Sequence, residues 1–216
     1  MRHKTSETLF AYWNGVRGAH LAPRRFDIEP AKIAGILSST FMLERLDPAT
    51  YRYRLAGTLV CSMFGVELRG ANFLEGWPPE DRLSLMRRLS VLSGRGAVEL
   101  IHLEAAPSGR ASVPFELLLL PLRHTGESID RVLGSFVALD CPAWLGHAPL
   151  ATKRLIANEF IWPGNPGGEA EAMPLPMRPN HAPFALSPRG GRIVRSERRQ
   201  FRVFDGGLDR PNEDKS

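Results

Sequence analysis

Three glutamates stand where the sequence could perform acid–base chemistry. Glu99, Glu104 and Glu116 fall on two neighbouring predicted strands. General acid–base catalysis needs two such carboxyl groups facing one reacting centre, and Glu99 and Glu116 could meet across the sheet. The ordinary alternative is that exposed carboxylates on a sheet pair with cations, here Arg110 or Arg123. The chain has no phosphate-binding loop, nucleophile elbow or zinc-protease helix motif, so we expect a protein that binds and is not an enzyme.

The cysteines and histidines offer little metal or redox chemistry. Cys61 and Cys141 form no C-x-x-C pair, which argues against a zinc site and a thioredoxin-type motif. We therefore predict no metal site and two buried free thiols in a reducing cytosol. His102 shares one face of a predicted strand with Val98 and Leu100, so it could bind a ligand or line a pocket. The alternative is a histidine satisfied within the core or at the sheet edge.

Positive charge concentrates near the end of the chain. Residues 189–202 contain six arginines and one glutamate, a net charge of +5. Such a segment attracts nucleic acid or an anionic membrane. With Phe201 as its single aromatic ring it offers little stacking surface, so a disordered or partner-docking basic tail is the favoured alternative. The arginines that define this predicted tail are Arg192, Arg195, Arg198, Arg199 and Arg202.

The chain opens with a pattern typical of an amphipathic helix over residues 5–16. Its apolar stripe consists of Leu9, Tyr12, Trp13 and Val16. A helix of this kind covers its own sheet or pairs with a second copy. Because Tyr12 and Trp13 are large apolar groups with no assigned burial partner, we predict that this stripe forms a homodimer or partner contact.

The elements that must position these residues alternate between strand and helix patterns. A second helical segment over 27–37 leads into a hairpin of 40–47 and 51–57, which is followed by short helical turns over 58–77. Residues 80–94 carry the best helical pattern, with Leu83, Met86, Leu89 and Leu92 facing inward and Arg82, Arg87 and Arg88 outside. Three strands follow at 97–104, 112–121 and 131–140. This order predicts an α+β fold, an antiparallel sheet with helices on one face.

The rest of the chain divides by composition. Residues 150–160 predict one more helix, and 163–188 hold seven prolines, which favours a flexible linker. The predicted division is an N-terminal helical extension (1–38), a sensory-type domain (39–145), a short helix (146–162), and a Pro-rich linker with the basic tail (163–216). No signal-peptide core follows the N-terminus, and no apolar run approaches the roughly 18 residues of a membrane span. We therefore expect a cytoplasmic protein.

Several motifs in order resemble the PAS domain family, and more closely a group of bacterial stand-alone PAS-like proteins. The motifs are YWNGVRG, LAPRRFDIEP, YRYRLAG, the FG–ELRG–NF run and DRVLGSF, spread over residues 12–140. The resemblance implies a five-stranded antiparallel sheet and a sensory or interaction role. It names no ligand.

The resemblance also places a pocket between the sheet and the central helices. The predicted lining is Tyr53, Leu55, Cys61, Phe64, Phe73, Trp77, Met86, Leu100, His102, Phe115 and Phe136; a packed core with no space for a ligand is the alternative. Haem-binding relatives hold iron through a histidine on the long helix, and residues 80–94 have none. A covalent flavin needs a cysteine where Phe73 stands, beside Asn72. Haem and covalent flavin are thus disfavoured, and the cofactor is left unknown.

These observations together predict a non-enzymatic sensory or adaptor protein of bacterial signal transduction. It would bind a small molecule or a signalling protein and act as a homodimer. The alternative is a nucleic-acid-associated regulator that acts through residues 189–202.

Overall fold

Six antiparallel strands form one sheet in the order β2-β1-β5-β4-β3-β6. The computed structural model describes residues 1–162. The strands are β1 (Thr40–Asp47), β2 (Thr50–Ala56), β3 (Val98–Pro107), β4 (Val113–Arg123), β5 (Ile129–Ala138) and β6 (Leu150–Ile161). The helices are α1 (Lys4–Arg17), α2 (Thr58–Phe64) and α3 (Pro79–Arg95), with 3₁₀ segments at Arg25–Asp27 and Pro30–Ser39. The α+β prediction and its five strands are confirmed, and a sixth strand is added.

The strand register separates the two faces of the sheet, since paired residues point to the same side. Leu117 pairs with both Ile101 and Phe136, and these side chains lie under α2 and α3. We call this the roof face. Glu116 pairs with His102 and Val137 on the opposite side, which we call the α1 face. Alternation along β3 and β4 therefore sends Glu99 and Glu116 to opposite faces, and the predicted meeting of these two carboxylates is wrong.

Helix α1 covers the second face of the sheet, which is one of the two arrangements expected for the opening helix, whereas α2 and α3 share the roof face. Leu9 and Trp13 are fully buried within their own chain, and the Trp13 indole donates a hydrogen bond to the Pro121 carbonyl at 2.9 Å. The Ser6 hydroxyl lies 3.4 Å from that of Ser135 on β5. Leu9 and Trp13 are thus unavailable to a second copy, and the predicted partner contact through them is wrong.

The half-buried members of the same stripe have local roles. The Tyr12 hydroxyl accepts a hydrogen bond from the Glu29 backbone amide at 2.7 Å, which ties α1 to the start of the 3₁₀ segment Pro30–Ser39. Val16 packs against the core from its margin. That 3₁₀ segment stands where a helix over 27–37 was predicted, and its backbone is kinked at Ile33.

The inward face of α3 differs from the predicted one. Leu85, Arg88, Leu89 and Leu92 are buried, whereas Leu83 is 54% exposed and Met86 is partly buried. The difference arises because Arg88, assigned to the outer side by its charge, is buried on the roof face. Its guanidinium Nη1 lies 2.8 Å from the Glu99 carboxylate.

Strand β6 replaces the helix predicted over 150–160. It pairs with β3, and its register shifts between the Ala157–His102 and Leu155–Leu103 pairs, which leaves Ile156 unpaired. Lys153, Leu155, Asn158 and Phe160 consequently share the roof face at irregular spacing. This bulge removes the period-2 pattern by which a strand is recognised in a sequence.

Candidate functional site

Aromatic rings fill the space between the roof face and the helices. Phe41 of β1 lies 5.6 Å from Tyr53 of β2 and 6.1 Å from Phe73, measured between ring centroids. Phe73 lies 6.2 Å from Trp77. On the other side, Phe136 stacks on Phe115 at 4.8 Å and lies 5.5 Å from Phe64 of α2. We call these seven residues the aromatic cluster.

The loop between α2 and α3 is fixed to β2 by backbone and side-chain hydrogen bonds. Asn72 is central, because its Oδ1 accepts from the Tyr51 amide at 3.1 Å and the Leu74 amide at 3.2 Å, while its amide group donates to the Ala49 carbonyl. The backbone amide of Phe73 donates to the Tyr51 carbonyl at 2.8 Å. These bonds hold Phe73 and Trp77 over the sheet.

Lys153 of β6 closes the aromatic cluster. Its Nζ lies 4.7 Å from the centroid of the Trp77 ring and 5.0 Å from that of Phe64, within the range of a cation–π contact. Nζ also donates a hydrogen bond to the Glu75 carbonyl at 3.4 Å. Burial lowers the pKa of the Lys153 amine to about 8, because the charged form loses hydration. The site therefore holds a cation at a cost in free energy.

The cavity left inside the cluster measures about 10 Å³. Such a volume admits at most about one water molecule, so the side chains form a packed core in this conformation. Its wall contains Tyr53, Phe64, Phe73, Trp77 and Phe136, as predicted, together with Phe41, Leu117 and Lys153, which the prediction missed. Phe41 and Leu117 alternate inward on recognised strands, and this could have identified them; Lys153 was hidden by the helix assignment.

Other predicted lining residues lie elsewhere. Leu100 and His102 point to the α1 face because they pair with Leu118 and Glu116. Leu55 is turned to the same face by a bulge, since Met42 pairs with Leu55 but Leu43 pairs with Tyr53. The prediction that these three residues share the aromatic pocket is wrong.

The two thiols and Met86 lie outside the aromatic cluster. Cys61 and Met86 are partly buried beside the core, and the Cys61 sulfur lies 3.7 Å from the Glu67 carboxylate. Burial raises the pKa of Tyr53, whose phenol has no polar partner strong enough to offset desolvation. Cys141 is exposed, so the prediction that both thiols are buried is wrong for it.

Two buried glutamates have structural partners in place of the predicted Arg110 and Arg123. Burial raises the pKa of Glu99 to about 7, because desolvation outweighs the attraction of Arg88. Glu116 accepts hydrogen bonds from the backbone amides of Arg2 at 2.7 Å and His3 at 3.3 Å, at the start of α1. Arg123 instead pairs with Glu127. Within residues 1–162 no three His, Cys, Asp or Glu side chains group as metal ligands.

Comparisons with known proteins show to which family the chain belongs. A family model described as a PAS domain matches residues 1–137, more than half of the chain. The chain belongs to the PAS domain family. A search of curated proteins found no significant match. Among solved structures, a light-oxygen-voltage domain from a study with a flavin analogue is similar, with 16% identity, a TM-score of 0.39, and coverage of 51% of this chain and 83% of that one.

The PAS match ends at residue 137, before β6 begins. Lys153 therefore reaches the aromatic cluster from outside the matched region, whereas α1 lies within it. No helix of the described residues is long and apolar enough to cross a membrane. The predicted basic tail, Arg192, Arg195, Arg198, Arg199 and Arg202, lies outside the described residues, as does the predicted linker.

Proposed function

We propose that this PAS protein is a non-enzymatic sensory or adaptor module of signal transduction. A small ligand or a protein partner would change how the helices α2 and α3 sit on the sheet, and β6 would carry that change onward. The observation that supports this proposal is the Lys153 side chain, which joins β6 to the Trp77 and Phe64 rings of the roof.

The contact of Lys153 with the Trp77 and Phe64 rings is one that a ligand can displace. Lys153 is desolvated, so its folded position costs free energy that a ligand can recover by taking the place of the ammonium among the rings. A second contact joins the same elements, because Asp81 of α3 accepts a hydrogen bond from the Leu155 amide at 3.0 Å. A ligand shifts the equilibrium only by as much as it binds one arrangement better than the other.

The described carboxylates also favour binding over catalysis. Glu99 and Glu116 face opposite sides of the sheet, so they cannot form an acid–base pair. Strand β6 lies at the end of the sheet. Edge strands present unpaired backbone groups to which a partner can add a strand, so β6 offers a place for an adaptor contact.

Hydrogen exchange on the full chain tests this coupling. In Lys153→Ala, residues 66–78 and 150–161 should exchange faster together, while α1 stays as in the wild type. Arg154→Ala is the matched control, since Arg154 is the exposed neighbour on the same strand. A wild-type pattern in Lys153→Ala would remove the proposed link between β6 and the roof.

The signalling role itself is tested by recovery of tagged protein from its own cells. We expect a bound small molecule or a partner protein whose retention differs between wild type and Lys153→Ala but not between wild type and Arg154→Ala. A catalytic activity of the purified chain would contradict the non-enzymatic proposal.

A further inference from the structure

A groove on the α1 face joins two cavities where the 3₁₀ segment Pro30–Ser39 meets β1 and β2. The first cavity measures about 150 Å³ and is almost entirely apolar, with Ile28, Ile33, Leu37, Met42, Leu55 and Leu133 in its wall. The second measures about 250 Å³. Arg25, Met42 and Leu55 line both, so the two cavities adjoin each other.

The second cavity is basic. Arg54, Arg69, Arg131 and His124 line it together with Arg25. Within residues 1–162, neither Arg25 nor Arg69 has a carboxylate within 4 Å, and His124 Nδ1 is buried without a hydrogen-bond partner. Arg25 Nε donates to the Met42 sulfur at 3.1 Å and its guanidinium lies over the Phe26 ring, so Arg25 has neutral contacts, and among these residues neither its guanidinium nor that of Arg69 has an anionic side-chain partner.

Two carboxylates lie close to this basic end, and they do not neutralise it. Glu44 lies 2.8 Å from Arg52, 3.5 Å from Arg54 and 2.9 Å from Arg131. Asp130 adds a second contact to Arg131 at 3.1 Å. Two carboxylates therefore face a larger number of guanidinium groups, and the surplus charge is positive.

Two leucines of the apolar end remain accessible. Leu55 is 53% exposed and Leu37 is 37% exposed, although each lies beside a well-packed sheet. The bulge in β2 produces this exposure, since it turns Leu55 away from the aromatic cluster and onto the groove. Bulges are common at sheet edges such as β2 and next to active sites, where they re-aim a side chain, as this one re-aims Leu55 toward the cavity.

From these two ends we infer that the groove binds a small amphipathic anion. A carboxylate or phosphate would lie among Arg25, Arg69 and His124, and an apolar group of about six to eight carbons would fill the Leu37–Leu55 end. Cavities of about 150 Å³ lined by aliphatic side chains accept molecules the size of benzene. Guanidinium groups bind both kinds of oxyanion through paired N–H donors.

The groove also has a route to the aromatic cluster. Phe41 lines the apolar cavity on one side and the aromatic cavity on the other. An occupant of the groove would touch the ring that packs against Tyr53 and Phe73. Binding here does not depend on Lys153, so the groove can be tested apart from the function proposed above.

The test uses the full chain with octanoate and octyl phosphate as the two anion probes, octanol as the uncharged probe, and inorganic phosphate as the head group alone. Titration calorimetry gives affinities, and methionine-methyl NMR reports the site through Met42. We expect at least one of the octyl anions to bind and shift the Met42 methyl, with much weaker binding of octanol and phosphate. Which anion binds more tightly identifies the head group.

Two variants locate the occupant. Arg25→Gln should weaken anion binding at least tenfold, and Leu55→Asp should abolish it. The controls are Arg110→Gln, at an exposed turn, and Leu83→Asp, at an equally exposed leucine of α3. The proposal is overturned if neither octyl anion binds at millimolar concentration, if octanol binds equally well, or if the control variants weaken binding to the same extent.

Discussion

Replacing Lys153 with methionine should stabilise the protein at neutral pH and leave it unchanged at high pH. Methionine keeps the length and the apolar stem of the side chain but brings no charge into the aromatic cluster. The pKa of the Lys153 amine falls from 10.5 to about 8 on folding, a difference that corresponds to roughly 3 kcal/mol. Since the side chain retains some exposure and methionine loses the attraction of two rings, we expect a gain of about 1–3 kcal/mol at pH 7.

The pH dependence follows from proton binding in the two states. Below pH 8 the amine carries its proton in both the folded and the unfolded chain, so the folded wild type bears the full desolvation cost. Between pH 8 and 10.5 the unfolded chain binds more protons than the folded one, so the stability of the wild type rises with pH. Lys153→Met has no such proton, and its advantage over the wild type should shrink across this interval.

Urea unfolding followed by circular dichroism, at several pH values between 7 and 10.5, measures the difference. All other titrating groups are common to both proteins and cancel. Arg154→Met, at the exposed neighbouring position, should show a difference from wild type that does not vary with pH. If Lys153→Met is less stable than wild type at pH 7, or if its advantage is constant with pH, the lysine is not held in the site at a desolvation cost.

Three further substitutions test the packing around the site. A Cβ on Gly134 would lie 2.3 Å from Phe41 Cζ, so Gly134→Ala should lower the free energy of thermal unfolding by about 1–3 kcal/mol. Gly15→Ala in α1 has no atom within 4 Å of the added methyl and should instead stabilise the protein by about 0.5–1 kcal/mol. Equal effects of the two substitutions would contradict the contact between Gly134 and Phe41. Arg88→Met should lower the free energy of unfolding by about 3–5 kcal/mol, because it leaves the Glu99 carboxyl group buried without its partner. The double variant Arg88→Met/Glu99→Leu should be about as stable as the wild type. A double variant as unstable as the single one would exclude this explanation. Asn72→Ala should lower the free energy of unfolding by about 1–3 kcal/mol and speed hydrogen exchange over residues 66–77. Asn14→Ala, on the exposed side of α1, should do neither. Unchanged exchange in Asn72→Ala would show that Asn72 does not hold the loop between α2 and α3.

The sequence alone predicts those elements whose pattern is set by residues close together in the chain. The alternation of Tyr51 and Tyr53, and the glycine that ends α2 in a left-handed conformation at φ 68°, are readable without tertiary information. Tyr53, Phe64, Phe73, Trp77 and Phe136 of the predicted pocket consequently line one small cavity. Their role in binding a ligand stays a prediction.

The failures share one physical cause, since each depends on a partner in another secondary-structure element. The bulges at Arg54 and Ile156 are set by pairing with β1 and β3, and they moved Leu55 out of the pocket and Lys153 into it. Arg88 looked solvated because nothing nearby in sequence indicates the buried carboxylate of Glu99. Trp13 lacked a predicted partner because its acceptor, Pro121, lies 108 residues away.

The two edge strands of the sheet, β2 and β6, are not equivalent. The outer side of β2 is already bonded to the backbone around residues 70–73, whereas within residues 1–162 no strand pairs with the outer side of β6. Among these residues, another chain can therefore lengthen the sheet in one direction only. Two copies that paired through their β6 strands would be related by a twofold axis, and each would supply the backbone partners for the free edge of the other. Strand addition would then end in a closed dimer and would not propagate into a fibre.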